Sequence, residues 1–379
     1  MSIVFNESLN NFARRYFIKG NEQVGDDRLF PRKYESVINS ICEQLLIHDG
    51  ISFKVYGENI PLTILINTFG VRATEELLEQ GALKFVLWNP GVTYMVDDIP
   101  GILPLQSMGS FTTDVHSDPE ESIMSGLEFM RNPLPRKMRR DITRKVLKHY
   151  VVPPEELARD AAEFGHEGYK NNLFKEFGLS NEKTLTDLKQ EERKQLCNLA
   201  TQCLDLTLLA KYQYSTYNSF DLMNLNRSEF QNLKDAKAVE NVVDTVFNIE
   251  EVPNFSEMIS QKTIDIKSIP KLRSKKSSEK FRAWVDKVSH HEESSDITRE
   301  YIDAIVDSKT ANQTPRGKLT RVLGVVSLGA IVGSTVPGPS GIITGAAIGL
   351  LDSYVLDKIV KGWTPRHYID KEIKPLINN

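Results

Sequence analysis

Apolar and polar residues alternate along ISFKVYG (51–57), and its β-branched and aromatic content predicts a strand. Pro61 then opens a periodic apolar stretch reaching Leu78. Proline suits a first helical turn, where its missing N–H would be unpaired anyway. Gly70 is placed to divide this helix and Gly81 to end it. ALKFVLW (82–88) follows as a second strand. Strand, helix and strand with short connections make a βαβ unit, whose strands are expected to be parallel and joined right-handedly. The next stretch holds Pro90, Gly91, Pro100 and Gly101 and reads as loop with one short strand at 92–96. Ahead of the unit, Phe5, Leu9, Phe12 and Tyr16 recur at spacings of four, three and four, one face of a helix docked on the body.

Beyond residue 110 the pattern becomes helical. Asp118 is a good N-cap for a helix that starts with Pro119 and Glu120 and runs to about Met130. A proline-bounded segment spans 135–151, and another helix begins at Pro154. The longest helical pattern, 185–212, puts Leu188, Leu196, Leu199, Cys203, Leu206 and Leu209 on a broad face. A further helix is expected at 233–247, an amphipathic one at 281–288 and another at 297–306, before a polar linker at 308–318. The expected fold class is α+β, mostly helical. It comprises an N-terminal α/β (βαβ) domain over 1–110, a helical domain over 111–260, and a helical domain over 261–379 with an apolar hairpin at 322–360.

That hairpin interrupts the ordinary pattern, because residues 322–351 contain no charged side chain. VLGVVSLGAIVGSTV forms one arm, PGPS the turn, and GIITGAAIGLL the start of the second arm. Gly341, Gly345 and Gly349 line one helical stripe, as Gly329 and Gly333 do on the first arm. Small residues at this spacing let two backbones approach closely. Glycine costs about 1 kcal/mol per helical position, so close packing is expected to offset that cost. The segment resembles the glycine-zipper hairpins of membrane-active bacterial proteins. The resemblance covers about a tenth of the chain and implies packing at a membrane or against a partner helix. A clean spanning hairpin does not fit. The first arm has 15 residues, roughly 22 Å of helix against a hydrocarbon core of about 30 Å. The second reaches spanning length only by including Asp352, Asp357 and Lys358. A re-entrant hairpin, or one inserted on activation, fits better. Arg316, Lys318 and Arg321 before it, and Lys358, Lys361, Arg366, Trp363 and Tyr368 after it, suit a membrane interface. Permanent burial in the C-terminal domain is the opposing reading.

Composition changes this picture little. With 379 residues, 40 % hydrophobic, the chain is long enough for a sizeable core and two to three domains. A formal charge of −4 gives no global argument for nucleic acid. Three cysteines are too few for a disulfide framework and suit a reducing compartment. Glu7 and neighbouring asparagines interrupt the N-terminal run, so no secretory signal is expected.

Charge is concentrated in RNPLPRKMRRDITRKVLKHY (131–150), where eight basic residues meet one acid, Asp141. Arg136, Lys137, Arg139, Arg140 and Arg144 are candidates for binding phosphates of nucleic acid or anionic lipid. A solvated helix face or an interface with an acidic partner is the plainer reading. Arg144 and His149 also resemble the R-x4–6-H motif of HEPN-type ribonucleases. That resemblance implies a metal-independent ribonuclease in which Arg144 stabilises phosphate and His149 shuttles a proton. Lys145 departs from the polar, uncharged or acidic residue usual after that arginine.

Other chemistry is excluded by motif. The sequence holds no P-loop, no G-x-G-x-x-G after the first strand, no H-E-x-x-H, no C-x-x-C, no G-x-S-x-G and no phospholipase-D-like H-x-K-x4-D. No metal or cofactor is expected. His290 and His291 read as an exposed loop, Asp118 as a cap, and His116, His166 and His367 carry no assigned role. The leading expectation is a non-enzymatic bacterial effector or scaffold whose hairpin acts at a membrane or partner helix, in stress or anti-phage defence by analogy. It would be cytoplasmic, peripheral to the inner membrane or conditionally inserted there. The alternatives are an RNA- or DNA-binding protein or ribonuclease using 131–149, and a soluble protein–protein interaction module with a buried hairpin.

Overall fold

A computed structural model describes residues 3–21, 26–95, 102–108, 114–172, 174–175, 178–212, 214–219, 243–245, 248–249, 255–289, 319–325, 368–373 and 375. In chain order the elements are β1 (Ile3–Asn6), α1 (Ser8–Phe17), α2 (Asp26–Ile47), β2 (Gly50–Val55), α3 (Ile60–Phe69), α4 (Val71–Glu79), β3 (Leu83–Leu87), β4 (Gly91–Tyr94) and β5 (Leu105–Met108). Then come α5 (Asp114–Ser117), α6 (Pro119–Leu127), α7 (Arg136–Leu147), β6 (Tyr150–Val151), α8 (Glu156–Lys170), α9 (Gln190–Tyr212), β7 (Tyr214–Ser219), β8 (Val243–Thr245) and β9 (Asn248–Ile249). The last are α10 (Phe255–Ser260), α11 (Ile269–Arg273), α12 (Lys276–Ser289) and β10 (Leu319–Val325). The chain is mixed α/β and mostly helical, with a parallel four-strand N-terminal sheet.

The expected βαβ unit is β2–α3/α4–β3, with its strands parallel. Asn59 caps α3 by accepting from the Leu62 N–H at 3.0 Å. Gly70 divides α3 from α4 at φ +86°, a conformation glycine adopts without steric cost. Two further parallel strands complete this half, giving the order β6-β3-β2-β1, with β7 on the far side of β1. The antiparallel β10 then pairs β7 and β8.

Three expectations change. Phe5 belongs to a strand, and the helix begins only at Ser8, because Ile3–Asn6 pairs between β2 and β7. Residues 243–245, placed in a helix by sequence, are extended and pair with β10. Residues 319–325 are extended too, so the first four residues of the expected hairpin arm form strand rather than helix. The rest of that hairpin, with Gly329, Gly333, Gly341, Gly345 and Gly349, lies outside the described residues, as do His290, His291 and 297–306.

The register puts Ile51, Phe53, Val55, Leu83, Phe85 and Leu87 on one face of the sheet, where all six are buried. They share a core with α1–α4, α6 and α7, and with Met258, Ile259, Ile269, Leu272, Phe281 and Tyr368 from the C-terminal third. Arg273 fastens that third in place. Its buried guanidinium donates to the carbonyls of His48 at 2.9 Å and Asp49 at 2.7 Å. A second core joins β5, α8 and α9 through Leu105, Ala162, Tyr169, Leu196 and Ala200.

Candidate functional site

Helix α7 follows Pro135 and buries Ile142, Thr143 and Val146; Val146 stands four residues from Ile142 and three from Thr143, so the three share one side. That side packs on α4 and α6. At about 100° per residue, the opposite side carries Lys137, Arg140 and Arg144, continued by Lys148 at the C-cap, while Arg136 stands in the first turn; all five are exposed. None of the five makes an ion pair among the described residues. Two other basic residues separate from this group. Lys145 turns toward α4 and bridges Glu75 at 3.3 Å and Glu79 at 2.9 Å. Arg139 is half-buried, and its carbonyl accepts from the Thr143 hydroxyl at 2.8 Å. The outcome is a cationic ridge, about 18 Å long at 1.5 Å per residue, with only Asp141, half-buried, among its basic residues.

Arg144 lies on α7, and His149 lies in the turn that follows it. Helix α7 ends at Leu147, between them, so no single helical face presents both. The His149 N–H donates to the Val146 carbonyl at 2.8 Å, and its own carbonyl accepts from the Phe85 N–H at 2.9 Å, which leads the chain into β6. Its imidazole is half-buried, and burial first, then Lys84 and Lys148, push its pKa down. The cations beside it disfavour the protonated form a shuttle would need to hold.

A polar cluster escaped the sequence reading. It lies at the carboxyl ends of β1–β3, where open parallel sheets place their ligands. Lys54 Nζ sits 3.9 Å from the centroid of the Trp88 ring and 2.6 Å from Glu7 Oε1. Arg14 pairs with Glu58 at 2.8 Å and lies over Tyr56, whose ring meets His116 edge-on at 5.0 Å. Burial lowers the His116 pKa, partly opposed by Glu58. The signal for this cluster was the strand at the N-terminus, which only sheet pairing reveals. Each of its cations already has a carboxylate partner, so it is internally neutralised.

Asp118 caps α6, its Oδ1 accepting from the Glu120 N–H at 2.7 Å. His166 is buried in α8 and lies 2.9 Å from the Leu105 carbonyl. Cys197 and Cys203 both lie on α9. Among the described residues no three His, Cys, Asp or Glu side chains stand where they could hold a metal ion, and no helix is long and apolar enough to cross a membrane. Comparison with protein-family models, with curated proteins and with solved structures yields no match.

Proposed function

We propose that this chain is a non-enzymatic docking protein, an effector or scaffold, that sits on an anionic membrane through the α7 ridge. The glycine-rich segment acts at the bilayer or on a partner helix. The observation that carries the reading is the set of five outward cations, Arg136, Lys137, Arg140, Arg144 and Lys148, without carboxylate partners among the described residues. A ridge that served only solubility would gain by mixing signs, as surface helices commonly do. Met138, 40 % exposed, lies on α7, and Val152, 43 % exposed, follows β6. They offer apolar contact beside the charge, as in helices that lie in a membrane interface. No exposed aromatic residue stands on α7 for stacking nucleobases.

The test is co-sedimentation with neutral vesicles and with vesicles containing phosphatidylserine, alongside duplex DNA and RNA titrated with salt. The variant replaces Arg136, Arg140, Arg144 and Lys148 with glutamine. Each basic residue near an anionic surface contributes about 1 kcal/mol, so vesicle binding should weaken about a thousandfold. Binding to duplexes with no binding to anionic vesicles would replace the membrane reading with nucleic-acid docking. Equal binding by the variant would end both.

A further inference from the structure

Between β4 and the first turns of α9 runs a cleft of about 560 Å³, lined by Tyr94, Gln190, Arg193, Lys194 and Cys197. It lies on other elements than α7 and belongs to the second core. Local structure fixes its walls. The Tyr94 hydroxyl donates to the Leu185 carbonyl, which holds the ring against the turn before α9. The Cys197 thiol donates to the Val92 carbonyl at 3.6 Å. The Arg193 guanidinium lies over the Tyr94 ring, 5.3 Å from its centroid, and donates from Nη2 to the Thr186 carbonyl at 2.9 Å. Its Nε–H is buried and meets no acceptor. Lys194 is exposed, and neither cation forms an ion pair among the described residues. The neighbouring Glu192, which could have neutralised them, is taken by Lys183.

We infer that this cleft binds a small planar organic anion, a phosphate monoester or carboxylate with a flat apolar body. Three features select that class. The volume falls in the range of small-molecule sites. The Tyr94 ring and Cys197 supply an apolar wall for a flat body, held rigid by their hydrogen bonds. Arg193 and Lys194 supply charge that the protein leaves unmatched, and Gln190 adds an amide. Stacking on Tyr94 pre-orders the guanidinium, so little side-chain freedom is lost when an anion arrives.

Calorimetric titration of the full chain with uridine 5′-monophosphate, indole-3-acetate and inorganic phosphate tests this. A second readout is alkylation of Cys197, followed by mass spectrometry at that residue. Saturable binding of at least one organic anion is expected, with slower alkylation of Cys197 when it is bound. Lys194→Glu should weaken binding at least about tenfold, the loss expected for one charge-assisted hydrogen bond. Lys194 is exposed, so this variant keeps the fold, and Arg193→Gln serves as the second. The inference is overturned if no organic anion binds and Cys197 is unprotected, if Lys194→Glu binds as wild type does, or if inorganic phosphate binds as tightly as the nucleotide.

Discussion

Gly126→Ala on α6 offers a severe test of how the N-terminal helices fit together. A methyl group there would overlap the Asn59 carbonyl oxygen and carbon and lie 2.7 Å from its nitrogen. All three atoms are backbone, so no side-chain rotation relieves the overlap, and α6 must move away from the start of α3. That movement strains a buried network. The Asn59 N–H donates to the Ser122 carbonyl at 2.8 Å, its side-chain amide donates to the Tyr150 hydroxyl at 2.8 Å, and the Thr63 hydroxyl donates to the Gly126 carbonyl at 2.6 Å. Overpacking of this kind costs about 1–3 kcal/mol. Loosening two such hydrogen bonds adds about 2 kcal/mol, and alanine's better helix propensity returns about 1 kcal/mol. The net expectation is a loss of about 2–4 kcal/mol, read by urea unfolding from the midpoint shift at constant slope. Glu128→Ala, at the exposed C-cap just past the same helix, should stay within about 0.5 kcal/mol. If Gly126→Ala unfolds at the wild-type midpoint, α3 and α6 do not approach as described.

Other consequences follow from buried groups. Burial, helped by Arg273, pulls the His48 pKa down to about 3. The unfolded chain therefore takes up this proton first, and stability falls by about 1.4 kcal/mol per pH unit as pH drops from about 6.5 towards 3. His48→Asn should show a shallower acid slope in urea titrations between pH 7 and pH 4.5, and an unchanged slope would refute the assignment. Arg273, whose pKa burial lowers to about 9, remains a cation at neutral pH. Arg273→Met strips the donors from two carbonyls and should cost about 2–5 kcal/mol, with faster amide exchange in α11 and α12; normal protection there would contradict its role. Cys42 is fully buried, and burial raises its thiol pKa. Native alkylation at pH 7 should leave it unmodified until the chain unfolds, and early labelling would count against the α2 packing.

Legibility differed sharply between regions. The unit 51–88 was readable because its first strand alternates, its second is a short apolar run, the helix between them is periodic, and Pro61, Gly70 and Gly81 mark its joints. Ile3–Asn6 was misread because four residues beside a helix continue its apolar spacing, and only pairing with β2 and β7 makes them strand. The extended pairing of 243–245 and 319–325 depends on partners far apart in sequence, which no local window contains. The same limit hid the cluster of Arg14, Lys54, Trp88 and His116, assembled from four separate segments.

For the basic segment, sequence by itself determined that α7 would be a cationic helix, because composition and period are local properties. Only the tertiary structure decided which charges remain available. Glu75 and Glu79, about seventy residues away, withdraw Lys145, packing half-buries Arg139, and the helix ends at Leu147, before His149. Charge is written in the residue, but whether it is neutralised depends on what the fold brings within a few ångströms, where Coulomb interaction outweighs screening by water.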